Sequence, residues 1–119
     1  MLNATLKAIT PGATSAELCA VAEESTREIG FEQYRRKLTH AIERDSGIIV
    51  GHGFGISLEE LPVIRSDDHT VWTPGMCNAI QMSFGNDSTG YIEWEDDFLV
   101  TDTGAEILSK SPKEIWVTE

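Results

Sequence analysis

Two runs of alternating side chains in the second half of the chain constrain its fold most strongly. Because successive side chains of a strand point to opposite faces, residues 76–84 separate large apolar side chains from small or weakly polar ones. The apolar members are Met76, Ile80, Met82 and Phe84. In residues 91–101 the apolar members of the alternation, which only Asp96 breaks, are Ile92, Trp94, Phe98 and Val100. Glycine turns flank these runs, so the sequence predicts strands with one apolar face.

The beginning of the chain follows the periodicity of a helix instead. Three apolar residues recur at this spacing: Leu2, Leu6 and Ile9. Pro11 and Gly12 then interrupt the pattern. Thr14 and Glu17 have the spacing of a capping box, in which each side chain satisfies an unpaired amide of the other residue, and Gly30 is a typical stop. The sequence therefore predicts two helices before residue 31.

Further elements complete the predicted order. A third helix is indicated by four residues at helical spacing: Phe31, Tyr34, Leu38 and Ile42. Residues 48–50 and 105–108 predict short strands, residues 63–72 a surface loop, and residues 111–114 a short helix or turn. Helices thus precede strands, which favours the α+β class, with helices packed on one face of a mainly antiparallel sheet.

Length and charge exclude several classes of function. The 119 residues suit a single domain, residues 1–119, because a chain of this size can bury one core. With 20 acidic and 9 basic residues the net charge is −11, which repels the phosphate backbone of nucleic acids. No apolar run is long enough for a bilayer span, and the N-terminus lacks the apolar segment of a secretory signal. We therefore expect a cytoplasmic protein with neither nucleic-acid nor membrane partners, and we assign no chemistry to its two cysteines.

The acidic side chains of residues 91–101 have two interpretations. Glu93, Glu95 and Asp97 share one strand face by the same alternation. They could form a water-facing edge, where like charges cost little once salt screens them. They could instead form a cation site, because carboxylates are hard oxygen ligands for divalent metals.

His52 is surrounded by glycines in the stretch GHGFG, residues 51–55. Glycine has no Cβ, so this stretch allows the backbone to approach a ligand or another strand closely. A nucleotide-binding loop is not indicated, because no helix with Lys-Ser or Lys-Thr follows the glycines.

Three segments resemble the C-terminal half of the pita-bread metallohydrolases. In their order along the chain they are GHGFGISLEELP, TPGMCNAIQ and IEWEDDFLVTDTGAEILS. This family includes Xaa-Pro aminopeptidase and dipeptidase, methionine aminopeptidase and creatinase. The upstream segment LKAITPGATSAELCAVAEESTREIGF resembles the helix, turn and helix that precede GHG there, so the likeness covers nearly the whole chain. It implies half of a pita-bread fold, with a curved sheet.

The resemblance also implies roles for individual residues. His52 maps onto a metal ligand and Glu95 onto a bridging ligand of the family's divalent metals, Mn²⁺, Co²⁺ or Zn²⁺. Gln81 occupies the position of a carboxylate ligand, and Glu59 that of an imidazole that would polarise the scissile carbonyl group. The two aspartate ligands of the family have no counterpart in the sequence. The metal site is therefore expected to be incomplete or absent in this chain, with His52, Gln81 and Glu95 as its remaining positions.

The resemblance implies a C-terminal fragment of a hydrolase that cleaves a peptide or other C–N bond in a small substrate, inactive as the isolated chain. In creatinase-like members His52 could be a general acid or base, and we group His52 and Glu59 as candidate catalytic residues. Two alternatives stay open: a degenerate binding module that recognises a peptide or protein segment, and a small independent α+β protein. Exposed apolar surface on half of a two-part domain also predicts a possible homodimer.

Overall fold

A computed structural model of the chain describes residues 1–28, 30, 49–88, 90–114 and 116–117. Within these residues, two helices precede five antiparallel strands in the sheet order β2-β1-β3-β4-β5. The elements are α1 (Leu2–Ala8), α2 (Ser15–Glu28), β1 (Gly51–Gly53), β2 (Glu60–Val63), β3 (Cys77–Asn86), β4 (Gly90–Thr101) and β5 (Gly104–Ile107). The predicted α+β class with an antiparallel sheet is confirmed.

The predicted start and stop of the second helix are also confirmed. The backbone amide of Glu17 donates to Thr14 Oγ1 at 3.3 Å, and the Thr14 amide donates to Glu17 Oε2 at 2.8 Å. Gly30 has a φ of +69°, and its amide donates to the carbonyl oxygen of Arg27. The predicted third helix lies outside the described residues. Neither described helix has the length and apolar character needed to cross a membrane.

The helices pack on one face of the sheet and form the core with it. The buried members from the helical segment are Leu6, Ile9, Leu18, Cys19 and Ala22, and those from β3 and β4 are Ile80, Met82, Phe98 and Val100. Trp72 is buried beside them and stacks on Phe98 with ring centroids 5.6 Å apart. Its Nε1 donates to Ser15 Oγ at 3.0 Å, which links the start of α2 to the core.

Two expectations about residues 49–72 need correction. The predicted surface loop at residues 63–72 begins inside β2, and Ile64 and Trp72 are fully buried. The strand predicted at residues 48–50 begins at Gly51 in the described part of the chain. Both strands are short, with three and four residues, and runs of this length leave no clear periodic signal in the sequence.

The hairpin of β3 and β4 confirms the alternation. Ile92 lies on the predicted face, but it is 63% exposed there. It pairs with Phe84 near the turn of the hairpin, whereas the core members of β4 lie nearer its other end. Asp96, which breaks the alternation, is buried on the packed face, where Lys113 Nζ lies 2.7 Å from its Oδ2. Lys113 belongs to residues 111–114, which form bends and no helix.

Candidate functional site

The second face of the sheet carries the candidate site residues. His52 pairs with Ala79 on β3, and Ala79 pairs in turn with Asp97 on β4. Gln81 pairs directly with Glu95. Because paired residues of antiparallel strands point to the same side, these side chains share the face opposite the helices. The three predicted metal positions, His52, Gln81 and Glu95, therefore lie on one face of three adjacent strands.

The glycines around His52 make room for neighbouring strands. A Cβ atom on Gly51 would lie 2.1 Å from the carbonyl oxygen of Ala79, and one on Gly53 would lie 2.8 Å from that of Leu61. Both distances are shorter than any van der Waals contact allows. Of the two explanations offered by the sequence, close approach to another strand is the one that these contacts favour. His52 itself is 3% exposed.

The orientation of the His52 ring limits its chemistry. Its Nδ1 lies 3.0 Å from the carbonyl oxygen of Gly53. A carbonyl oxygen can only accept, so a hydrogen bond there places the proton of the neutral ring on Nδ1. Nε2 is then the nitrogen that can accept a proton or bind a metal ion.

Glu95 lies among groups that act on its charge. Partial burial of the carboxyl group raises the pKa of Glu95, and the nearby His52 opposes this shift. Like charges on Asp97, Glu93 and Glu59 raise the pKa further. The structure thus brings Glu95 within electrostatic reach of His52 and Glu59, the two residues predicted to be catalytic.

Glu59 belongs to the segment that connects β1 and β2. This connection folds back on itself, because Glu60 Oε1 accepts a hydrogen bond of 2.6 Å from the Ser57 amide. Beside it lies an open pocket of about 410 Å³. Its lining combines apolar and acidic side chains: Phe54, Gly55, Ile56, Ser57, Leu58, Glu95 and Asp97. The pocket can accommodate a small ligand with an apolar part near the carboxylates.

The donor set does not fit a complete metal centre. Among the described residues, no three His, Cys, Asp or Glu side chains are grouped so that they could hold a metal ion. The predicted set contributes one imidazole, one carboxylate and the neutral amide of Gln81, which binds a divalent cation more weakly than a carboxylate. The residues predicted as metal positions therefore lack the number of charged donors that a complete divalent-metal centre uses.

Ser83 is a possible site residue that no motif in the sequence indicated. Ser83 pairs with Glu93, so it lies on the same face as Gln81 and Glu95. It is 2% exposed, and its hydroxyl group has no hydrogen-bond partner in the part of the chain that the structure describes. The alternation of residues 76–84 placed Ser83 on this face, but nothing in the sequence indicated its burial.

Comparison with known proteins gives consistent matches. Residues 1–102 match the profile of metallopeptidase family M24. An Xaa-Pro dipeptidase from Pyrococcus furiosus is 32% identical over 110 residues, which are 92% of this chain and 28% of that protein. The crystal structure of an X-Pro aminopeptidase from Thermotoga maritima matches with a TM-score of 0.81 and 25% identity, over 98% of this chain and 30% of that one.

A prolidase from Pyrococcus furiosus matches with a TM-score of 0.76 and 31% identity, over 93% of this chain and 30% of that one. This chain therefore spans less than a third of the length of these relatives. The match to residues 1–102 covers most of this chain, and the sheet that carries His52, Gln81 and Glu95 is matched in the solved structures. The resemblance seen in the sequence is thereby confirmed, and the chain belongs to metallopeptidase family M24.

Proposed function

We propose that this chain forms the C-terminal part of the catalytic domain of a hydrolase that cleaves a peptide or another C–N bond in a small substrate. The relatives named Xaa-Pro dipeptidase and X-Pro aminopeptidase support a peptide substrate. The observation that carries the proposal is the shared sheet face of His52, Gln81 and Glu95, because it holds the matching ligand positions of the family together.

In this proposal His52 moves a proton or binds a metal ion through Nε2. Its Nδ1 is held at 3.0 Å from the Gly53 carbonyl oxygen, which fixes the ring, and the ring is nearly excluded from water. Glu59 acts at the position where other family members polarise the scissile carbonyl group. A carboxyl group can donate a hydrogen bond to that oxygen only when it is protonated.

We propose that the isolated chain is inactive. The described residues offer part of a metal site, and metal-assisted hydrolysis needs a fixed set of ligands that activates a water molecule. The match covers only 30% of the X-Pro aminopeptidase chain from Thermotoga maritima. This supports the proposal that activity requires further protein segments around the pocket.

The test is the hydrolysis of Xaa-Pro and other dipeptides by the protein encoded by the complete reading frame, with Mn²⁺, Co²⁺ or Zn²⁺ supplied. We expect His52→Ala and Glu95→Ala to lower kcat/KM by at least about 100-fold, since each removes a group placed at the reacting atoms. The matched controls His69→Ala and Glu106→Ala change exposed residues outside the site and should keep the activity.

The isolated chain should hydrolyse none of these substrates under the same conditions. Hydrolysis by the isolated chain would contradict its proposed inactivity. Full activity of both site variants in the complete protein would contradict the proposed hydrolase site.

A second candidate function is a binding module that recognises a peptide or protein segment without catalysis. Two departures from the family pattern favour it: Gln81 puts a neutral amide at a ligand position, and Glu59 puts a carboxylate at a catalytic position. The pocket beside Ile56 and Leu58 favours it as well. Equilibrium binding of dipeptides to the complete protein, together with a lack of turnover at any supplied metal, would favour this function over the hydrolase.

Self-association of the isolated chain stays a prediction. Several large apolar side chains in the connection and the strand that follows it are exposed to solvent, namely Ile56, Leu58 and Leu61. Exposed apolar patches promote association. Sedimentation should detect a dimer at high protein concentration, and a monomer throughout would contradict the prediction.

A further inference from the structure

The residues that follow β5 continue to hold β4 after the last strand has ended. Strand β4 has 12 residues and β5 has 4, so β5 pairs only with residues 98–101 of β4. Beyond this pairing, the Leu108 amide donates to the carbonyl oxygen of Asp97 at 2.8 Å, and the Asp97 amide donates to Ser109 Oγ at 2.8 Å. Residues outside the sheet thus satisfy backbone groups that an open strand edge would leave unpaired.

Lys113 adds a third contact, on the neighbouring residue of β4. Its Nζ lies 2.7 Å from Asp96 Oδ2, and the side chain of Asp96 is 3% exposed. This oxygen has no hydrogen-bond partner in the described part of the chain, so attraction between opposite charges carries the contact. A buried carboxylate without such a partner is strongly unfavourable. We call Leu108, Ser109 and Lys113 the C-terminal clamp.

The C-terminal clamp acts on the part of β4 that carries two residues of the candidate site. Asp96 is buried on the packed face. Its neighbours Glu95 and Asp97 line the pocket on the opposite face, which we call the acidic face. Because successive side chains of a strand point to opposite faces, a rotation of β4 that carried Asp96 out of the interior would turn both neighbours away from the pocket. Pairing with Lys113 removes the cause of such a rotation.

We propose that Lys113, together with Ser109, is a positioning residue for Glu95. It holds β4 in the rotation that directs this carboxyl group at the pocket, and it does not line the pocket itself. Its effect on turnover rests on the proposed hydrolase function, whereas its effect on the strand does not.

The first test is amide hydrogen exchange, followed by NMR in the 119-residue chain. Lys113→Met keeps the aliphatic part of the side chain but removes the charge. The Asp97 and Leu108 amides should then exchange faster, by at least about tenfold more than the amide of Trp72 in the core. Lys110→Met, an exposed change in the same segment, is the matched control and should leave all three rates within about twofold.

The second test is the hydrolysis of dipeptides by the complete protein. Lys113→Met should lower kcat about tenfold and change KM by less than about twofold, because a displaced Glu95 affects the reacting atoms more than substrate binding. Lys113→Arg keeps the positive charge and should restore kcat to within about threefold of the parent. In an Asp96→Asn background, Lys113→Met should have little further effect, since no buried charge is left to pair.

Faster exchange at Asp97 beyond that at Trp72, together with the loss and rescue of kcat, supports the proposal. Equal changes in exchange at Asp97 and Trp72, an unchanged kcat in Lys113→Met, or no rescue by Lys113→Arg would overturn it, because the clamp would then only stabilise the fold.

Ser109→Ala replaces Lys113→Met in both tests if the latter variant does not fold. It removes the acceptor of the Asp97 amide, leaves the ion pair intact and should change the exchange rate and kcat in the same directions. A complete protein that hydrolyses no dipeptide would refute the proposed function. The exchange rates alone would then decide whether the C-terminal clamp holds this part of β4.

Discussion

The two faces of the β3–β4 hairpin carry opposite kinds of interaction, although the same strands form both. On the face that packs against the helices, Ile80, Met82 and Phe98 are buried in the core. On the other face, Glu93 and Glu95 lie side by side along β4 with Asp97 beyond them. Burial of apolar area stabilises the first face, whereas repulsion between like charges acts on the second.

The contacts that stabilise the fold and the candidate site residues lie on opposite faces of this hairpin. The acidic face gains little from its own contacts, because partial burial and then the like charges of Asp97, Glu93 and Glu59 raise the pKa of Glu95. The packed face holds the strands in register, and the register alone brings the candidate site residues together. Truncations of buried side chains on the packed face should therefore cost much stability, and changes of the exposed carboxylates on the acidic face should cost little.

The largest expected effect is that of Phe98→Ala on the packed face. The change removes a fully buried ring that stacks on Trp72, so we expect the free energy of unfolding to fall by about 3–5 kcal/mol. Ile92→Ala is the control on the same strand, and its exposed side chain should contribute within about 0.5 kcal/mol. Urea denaturation measures the free energy of unfolding of both variants. Equal losses of this free energy would contradict the difference between the buried and exposed parts of β4.

Gly51→Ala tests the close approach of strands around His52. The new Cβ would lie 2.1 Å from a backbone oxygen of β3, which cannot move without disturbing the sheet. We expect a loss of about 1–3 kcal/mol of unfolding free energy, measured by urea denaturation. In the control Gly55→Ala the nearest atom, 3.1 Å away, belongs to the side chain of Glu60 and can shift. A larger loss in the control would be inconsistent with strand packing as the reason for Gly51.

Thr14→Ala tests the helix that covers the packed face. It removes the hydroxyl group that accepts from the Glu17 amide at the start of α2. Loss of such a cap lowers the unfolding free energy by about 1 kcal/mol. Thr103→Ala, at an exposed position after β4, is the control. Thermal denaturation should show a lower Tm for Thr14→Ala alone; equal Tm values for the two variants would argue against the cap.

The smallest effect, and one of opposite sign, is expected on the acidic face. Because the pKa of Glu95 is raised in the fold, its protonated form is favoured there. Its contribution to stability is fully present below the ordinary value of 4.5 and is lost as the pH rises through the folded-state pKa. Glu95→Gln should therefore stabilise the chain at pH 7, by no more than about 1 kcal/mol because the group is exposed and screened.

The stabilisation of the chain by Glu95→Gln should depend on pH. The advantage of Glu95→Gln should vanish below pH 4.5 and shrink in high salt, whereas Glu106→Gln should show neither trend. Glu17 provides the opposite case in the same protein. Hydrogen bonds from Thr14 lower the pKa of Glu17, so its stabilising contribution is lost as the pH falls. Unfolding free energies measured from pH 3.5 to 7 test both signs; a stabilisation by Glu95→Gln that did not change with pH would contradict the repulsion.

Local patterns in the sequence predicted the elements that local forces determine. The capping box of Thr14 and Glu17 depends on residues three positions apart, and the alternation of β3 and β4 depends on one strand at a time. Strand β2 was missed because it has four residues, includes Pro62, and forms through pairing of Val63 with His52. A run of four residues is too short to leave a clear periodic signal in the sequence.

The sequence predicted the part of the candidate site that lies on one face of a single strand. Alternation correctly grouped Glu93, Glu95 and Asp97, and the resemblance added His52, Gln81 and Glu59. The burial of Ser83 could not be predicted, because it depends on what covers that rung of the sheet. The roles of His52, Glu59, Gln81 and Glu95 stay predictions, since placement on one face does not establish chemistry.

The ion pair between Lys113 and Asp96 makes the segment after β5 part of the fold. A carboxylate buried under the packed face depends on one ammonium group from residues that have no helix or strand of their own. A protease that trimmed these residues would leave a solitary negative charge in an apolar interior, which is strongly unfavourable. Any shortened version of the fold must therefore keep Lys113, although the residue lies beyond the last strand of the sheet.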